Sequence, residues 1–530
     1  MKKYILSALF ALTLSSCGDF LKEYSQDLTR VQNYSDLEEL VVGEAFLGVG
    51  YCQSGVTISL VNPNFMPLHF MTDELEENLT PATDPEHVGR TLDYRSVMYP
   101  YFTWQQDVFL DYKKSDTMES QENGYWTSLY SRISKCNMIL AEEKNLKAST
   151  ESDKKLASSI NGEVHFLRAL YYLTLVNLYA DPYAPATASS TPGVPVKITE
   201  YLEDKDFSRN TVSEVYAQIV NDLSEAEQSL QDVHEPSSVN RVGINAVYLL
   251  RSRVALYMQD WDTAKKYAEL SLKENSSLQS MTTMQDGEIP MAENNPENVF
   301  AMGGETLGFV TYLHPGGSYY GTSYSPVYKI SSHLYQLYGD NDARKTHFFS
   351  TQYGAGNEPY LTKADYTDAA LNIQSHISDQ FMLRSPEAYL NAAEACAELG
   401  NDKDAILYIK TLRSYRVSND TELSLTGEKL IEFIREERER ELCLEGVRLF
   451  DMRRYAVDEK YPEIETIRHS FTTYVYKNRG YYPQSTTVYE LKTNDGGLTL
   501  NIPKSVRDFE IGIGSNARPL RQPVETKEYQ

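Results

Sequence analysis

Two stretches of this chain, beginning 141 residues apart at Tyr248 and Tyr389, repeat one order of large and small side chains. In AVYLLRSRVALYMQDWDTAKKYAEL, Tyr248 and Ser252 precede Ala264 and Ala268. In EAYLNAAEACAELGNDKDAILYIKTL, Tyr389 and Ala393 precede Ala405 and Ile409. The step from the tyrosine to the first alanine is 16 residues in both. Helices separated by small side chains pack closely. A short polar turn, Gln259-Asp260 in one copy and Gly400-Asn401-Asp402 in the other, reverses the chain between them. Two copies with matching spacing read as a repeated helix pair and not as unrelated helical hairpins.

This is the layout of a tetratricopeptide helix pair. The distance between the copies predicts that they do not form a continuous solenoid. Other helices read from the periodicity of apolar residues. Residues 122–146 carry Leu129, Ile133 and Leu140 on one face, and 158–180 carry Val164, Leu167, Tyr171, Leu175 and Leu178. Residues 211–230 open on the capping box Thr211-Val-Ser-Glu214. Two regions lack periodicity, 60–118 and 275–375, and nine tyrosines fall between Tyr312 and Tyr360. Near the end, TTVYELKTNDGGLTLNIP shows two alternating runs about Asn494–Gly497, a hairpin signal. The expected fold is therefore mainly α: a helical body with tetratricopeptide-like pairs at about 120–270 and 380–455, a loop-rich face from 60–118 and 275–375, and a small C-terminal β-hairpin.

The chain opens Met1-Lys2-Lys3, then an apolar run from Tyr4 to Leu14, then Ser15-Ser16-Cys17. A basic start and a short apolar segment read as a secretory signal. The run is shorter than the ~20 residues a membrane span needs. Leu14-Ser15-Ser16-Cys17 resembles a bacterial lipobox, which implies removal of residues 1–16 and acylation of Cys17. Residues 17–35 then read as a lipidated tether and 36–530 as one domain. Cys52, Cys136, Cys396 and Cys443 have no zinc-site spacing and read as buried thiols.

Acidic residues outnumber basic ones 75 to 50, and the net charge of −25 argues against nucleic acid as a partner. There is no phosphate-binding loop, no G-x-S-x-G and no H-E-x-x-H, and the nine histidines are scattered. No metal or cofactor is expected. One stretch invites a catalytic reading. IREERERELCLEGVRLFDMRR, Ile434–Arg454, holds seven consecutive charged residues from Arg435 to Glu441. Glu437 and Glu441 would lie one helical turn apart, near the separation of a retaining glycosidase's carboxyls. The alternating arginines argue against it, since a nearby cation keeps a carboxylate ionised and a general acid needs its proton. The run reads as an ion-paired helix in which each charge meets its opposite within one turn, with Arg435 facing Glu439. The chain is read as a binding protein and not an enzyme.

Aromatic side chains on loops suit saccharide binding, because a sugar ring lays its C–H face on a flat aromatic while amides and carboxylates take its hydroxyls. YPYFTWQQD offers Tyr101, Phe102, Trp104, Gln105 and Asp107, and HPGGSYYGTSY offers His314, Tyr319, Tyr320 and Tyr324. These are the candidate ligand residues, chosen by position.

The order of several phrases identifies a resemblance. YWTSLYSRISKCNMIL, GEVHFLRALYYLTLVNLYADPYAP, TVSEVYAQIVNDLSEA, AVYLLRSRVALYMQDWDTAKKYA, LRSPEAYLNAAEACAELG and IREERERELCLEGVRLFDMRR follow a lipobox-like start. Together they are similar to the SusD/RagB family of Bacteroidetes surface lipoproteins. The ending IPKSVRDFEIGIGSNARPLRQP follows that family only in part. The resemblance implies a lipid-anchored, outer-membrane, surface-exposed protein. It implies capture of oligosaccharide, or of peptide in some members, and delivery to a SusC-like TonB-dependent barrel. A glycoside hydrolase is the weaker alternative.

Overall fold

The computed structural model describes residues 31–47, 68–78, 96, 98–114, 119–201, 203, 206–285, 287–303, 318–319, 322–323, 328–351, 359–364, 377–378, 381–478 and 480–529. Cys17, Cys52, His314, Tyr320 and Tyr324 lie outside them.

Helices dominate. The first, α1, is Tyr34–Leu40, followed by α2 (Glu119–Glu143), α3 (Glu151–Tyr179), α4 (Val212–Leu230), α5 (Ile244–Tyr257) and α6 (Trp261–Glu274). After the second irregular region come α7 (Ser385–Glu398), α8 (Asp402–Arg413), α9 (Glu428–Leu442) and α10 (Arg448–Tyr455). Local chemistry starts several of them. Thr150 and Asp153 form a capping box on α3, and Thr211 and Glu214 form the expected one on α4. Asp260 caps α6 and Asn401 caps α8.

The two repeated pairs match down to the backbone. Eleven residues after its tyrosine, each turn holds one residue in the left-handed region: Gln259 at φ 60° and Gly400 at φ 77°. Glycine adopts that conformation without strain, whereas glutamine does so at a cost. Ala264, Ala268, Ala393, Ala405 and Ile409 are all fully buried. The Ser252 hydroxyl donates to the Ala264 carbonyl at 2.8 Å, so the small residue also ties its two helices together. The separation in sequence does not separate the pairs in space. Asn391 on α7 donates to the Ser252 hydroxyl at 3.1 Å, and the Tyr408 hydroxyl on α8 donates to Glu269 on α6 at 3.0 Å. The second pair therefore stacks directly on the first.

Strands are few. The pair β1 (Leu75–Glu77) and β3 (Tyr328–Ile330) is antiparallel, as is β2 (Asn298–Met302) with β4 (Phe381–Arg384). The largest sheet joins β5 (Thr466–Lys477), β6 (Gly480–Lys492) and β7 (Glu525–Glu528) in the order β7-β6-β5. The hairpin is present, but its turn is not at Asn494–Gly497. It falls after Lys477, which pairs with Gly480, and Asn478 adopts φ 53°. Asn494–Gly497 fails as a hairpin turn for a local reason. The Asp495 carboxylate accepts from the Gly497 amide at 2.7 Å and winds 496–498 into a short 3-10 turn. The Leu500 amide then donates to the Leu178 carbonyl at 2.8 Å, so the chain returns to the end of α3 instead of pairing with β6. No helix among the described residues is long and apolar enough to cross a membrane.

Candidate functional site

The charge run forms α9, and almost all of it is buried. Glu441 accepts from three arginines that come from elsewhere in the chain: Arg344 at 3.0 Å, Arg384 at 2.6 Å and Arg416 at 3.0 Å. Glu437 meets Arg344 at 2.8 Å, Arg413 at 2.6 Å and its helical neighbour Arg440 at 3.0 Å. Burial by itself would raise both carboxyls. The guanidiniums of Arg416, Arg384 and Arg344 reverse this for Glu441 and hold it well below the usual range. Arg344, Arg440 and Arg413 hold Glu437 down to about 2. Neither can keep a proton near neutral pH, so this pair cannot supply a general acid.

The pairing differs from the expected one. Arg440 does bond within a turn, to Glu436 and Glu437. Arg435 does not face Glu439. It reaches Asp458 at 3.2 Å and Glu463 at 3.1 Å and lies over the Tyr455 ring. Arg438 reaches Asp451 on α10 at 2.7 Å and Asn391 on α7 at 2.7 Å. The helix is thus a hub that binds other elements.

What it binds positions the loop-rich face. From the second irregular region, Arg344 and the Lys363 ammonium, which meets Glu445 at 2.5 Å, are held by α9 and the bend after it. From the first, the Glu74 carboxylate accepts from the Leu444 amide at 2.5 Å, and Asp73 receives Arg448 at 2.7 Å. Both loop segments therefore hang on α9 and the residues that follow it. A buried charge left without its partner costs about 3–5 kcal/mol, which is why such pairs fix one arrangement.

At their edge, Asp73, His333 and Glu439 bring their ligand atoms within 4.8 Å of one another. Arg448 occupies that cluster, with Nη2 2.7 Å from Asp73, 3.1 Å from Glu439 and 2.9 Å from Glu465. A guanidinium already neutralising the carboxylates would repel a metal ion, so these residues form an ion cluster. A hydrogen bond to Glu439 at 3.0 Å leads the factors that push His333 up to about 9.

The candidate ligand residues fare unevenly. Tyr101, Phe102 and Trp104 are buried, with Trp104 at 0% exposure, and Gln105 is buried too. This corrects the expectation for those four: a ring with no exposed face cannot stack on a sugar. Phe102 and Trp104 instead fix this loop segment to the hairpin. Residues 98–102 are helical, and Trp104 turns out of that helix with φ 49°, a strained value for a bulky residue. Its indole N–H donates to the Met71 carbonyl at 3.0 Å. Phe102 and Trp104 clasp the imidazole of His469 on β5, with ring centroids 4.0 and 4.4 Å away and planes within 17°. The Gln105 carbonyl accepts from the buried Arg518 guanidinium at 2.8 Å. Asp107 is half-buried. Tyr319 lies in the short strand Ser318–Tyr319, which pairs with Thr322–Ser323.

What sequence reasoning passed over is the outer end of the hairpin. Tyr476 is 61% exposed and lies opposite Tyr481, beyond a base that packs on the loop-rich face. The signal was legible as YVYKNRGYYP, four tyrosines around a turn.

Comparison with known proteins gives a consistent answer. A family model described as "Starch-binding associating with outer membrane" matches residues 69–256, and one described as "SusD family" matches 261–510. A SusD-like protein of Formosa agariphila is 24% identical over 382 residues, covering 63% of this chain and 70% of its own length. Among solved structures, a SusD-like carbohydrate binding protein of Bacteroides vulgatus superposes with a TM-score of 0.64 at 21% identity, over 91% of this chain and 98% of the other. A SusD superfamily protein of Bacteroides thetaiotaomicron gives 0.64 at 20% identity, over 92% of this chain and 100% of its own. At such identities the structures report the fold.

Proposed function

This chain belongs to the SusD/RagB family, and from that membership we propose that it is a cell-surface lipoprotein that captures oligosaccharides without cleaving them. It passes them to a SusC-like TonB-dependent barrel in the outer membrane. The carrying observation is the pair of family matches, 69–256 and 261–510, which take in most of the first irregular segment, all of the second and the helices from α2 to α10. The binding role described for the Bacteroides vulgatus relative agrees with it.

The chemistry of α9 and the placement of the loops fit such a role. The acids of α9 are ion-paired and ionised, suited to holding a scaffold and not to protonating a leaving group. Loops carried on a rigid helical frame are where binding side chains concentrate. Acylation at Cys17 would anchor the protein, and the tether after it would give the binding face reach. The helical body would then meet the barrel while the loop-rich face meets ligand.

The test is a titration of the purified protein with panels of oligosaccharides and oligopeptides, together with an assay for new reducing ends. Saturable binding of a glycan that is recovered intact supports the proposal. Release of reducing ends contradicts it, and binding confined to peptides reassigns the ligand. Co-purification of the full-length lipoprotein with a large barrel from outer membranes tests the partner.

A further inference from the structure

We propose that the outer end of the β5–β6 hairpin is a saccharide-stacking subsite, formed by Tyr476 and Tyr481, at the rim of the loop-rich face. This rests on the carbohydrate reading above and assigns it a place.

The two rings are paired by register. Tyr476 on β5 lies opposite Tyr481 on β6, and their centroids are 5.0 Å apart with planes inclined at 57°. The rings therefore make an open wedge and not a closed stack, and Tyr476 keeps most of its surface in water. Tyrosine combines a flat apolar face with a polar tip, which suits a contact surface that stays wet.

The wedge faces the right way. Residues two apart on a strand share a face. Thr472, four residues before Tyr476, donates from both its amide and its hydroxyl to Glu77 at 2.8 Å. Glu77 ends β1, which pairs with β3. The face of β5 that rests on the loop-rich strands at its base thus carries Tyr476 at its tip. Tyr482 and Val475 pair with each other and point to the opposite face.

The local chemistry selects the occupant. Thr472–Gln484 contains four tyrosines, two amides, a lysine and an arginine, and no acidic residue, in a chain with 75 acids. Among the described residues, the acids met in hydrogen bonding or register are at the base of this segment: Glu77, which accepts from Thr472, and Glu528, opposite Ser485 past the β6 bulge. Flat rings with hydroxyls, amides and no carboxylate suit a polyhydroxylated ring. Two rings at the tip of a two-stranded ribbon match one or two sugar units, whereas a stable protein interface needs about 800 Å² per partner.

The experiment titrates wild type, the Tyr476→Ala/Tyr481→Ala double variant and Tyr482→Ala with six probes: malto-, cello-, laminari-, xylo- and mannohexaose, and hexagalacturonate. The expected result is that at least one probe binds wild type, that the double variant loses about tenfold in affinity, or 1.4 kcal/mol, and that Tyr482→Ala binds as wild type does. The three proteins should unfold at the same urea concentration, because the removed rings are at the hairpin tip. If wild type binds a probe and the double variant binds it equally, the subsite is overturned and the carbohydrate reading stands. If both hairpin faces lose equally, the effect belongs to hairpin folding and the assignment to one face is overturned. If wild type binds none of the six, the carbohydrate reading falls and the subsite with it.

Discussion

His469 shows what a single side chain contributes. It is buried between Phe102 and Trp104, and its Nδ1 bonds the Phe102 carbonyl at 2.6 Å. Burial pushes it down to about 4, so it stays neutral in the folded protein at neutral pH. The sign follows from linkage. Above about 6.5 neither state binds the proton. As pH falls from there towards about 4, the unfolded chain gains a proton that the folded one refuses, and stability is lost. The expected loss from this group is on the order of 3 kcal/mol. Urea midpoints at pH 7 and pH 4.5, compared between wild type and His469→Phe, would isolate it, and the variant should lose less stability between the two pH values. Trp104→Ala should destabilise the protein by ~3–5 kcal/mol through the cavity it leaves. Both aromatic clusters were visible in the sequence as loop tyrosines, phenylalanines and tryptophan. Which of them is buried was not, because burial of Trp104 depends on His469, 365 residues away.

At the scale of elements, α9 carries the most weight. Replacing Glu441 by alanine would leave Arg344, Arg384 and Arg416 facing each other without their shared carboxylate. The expected cost is about 3–5 kcal/mol in urea unfolding, against less than 1 kcal/mol for exposed Glu428→Ala. The scaffold role of this helix was legible from its alternating charges. Its partners were not, since the arginines lie 97, 57 and 25 residues from Glu441. Helical periodicity only reports neighbours within a turn. The same limit explains the hairpin. Alternation located β6 correctly at TTVYELK, but its partner strand was upstream, and Asp495 had already committed the following turn to a cap.

Across the whole molecule, the helix pairs, their small residues and their polar turns were readable in the sequence, because tetratricopeptide-like packing is set by local spacing. The attachment of the two irregular segments was not, because it runs through buried ion pairs between distant residues. Those pairs predict joint unfolding. In a Trp126→Phe/Trp261→Phe variant, the remaining Trp104 reports on the first irregular segment, and the far-ultraviolet circular dichroism signal reports on the helices. Their urea transitions should coincide, and an early transition in the fluorescence would mean that the segment unfolds separately. The central claim is capture without chemistry. Its most direct measurement is calorimetric titration of the purified protein with the hexasaccharide panel, followed by chromatography of the recovered ligand. Saturable heat with the glycan returned at its original length is the predicted result. Shortened glycan in the recovered pool, or no heat with any saccharide, would contradict it.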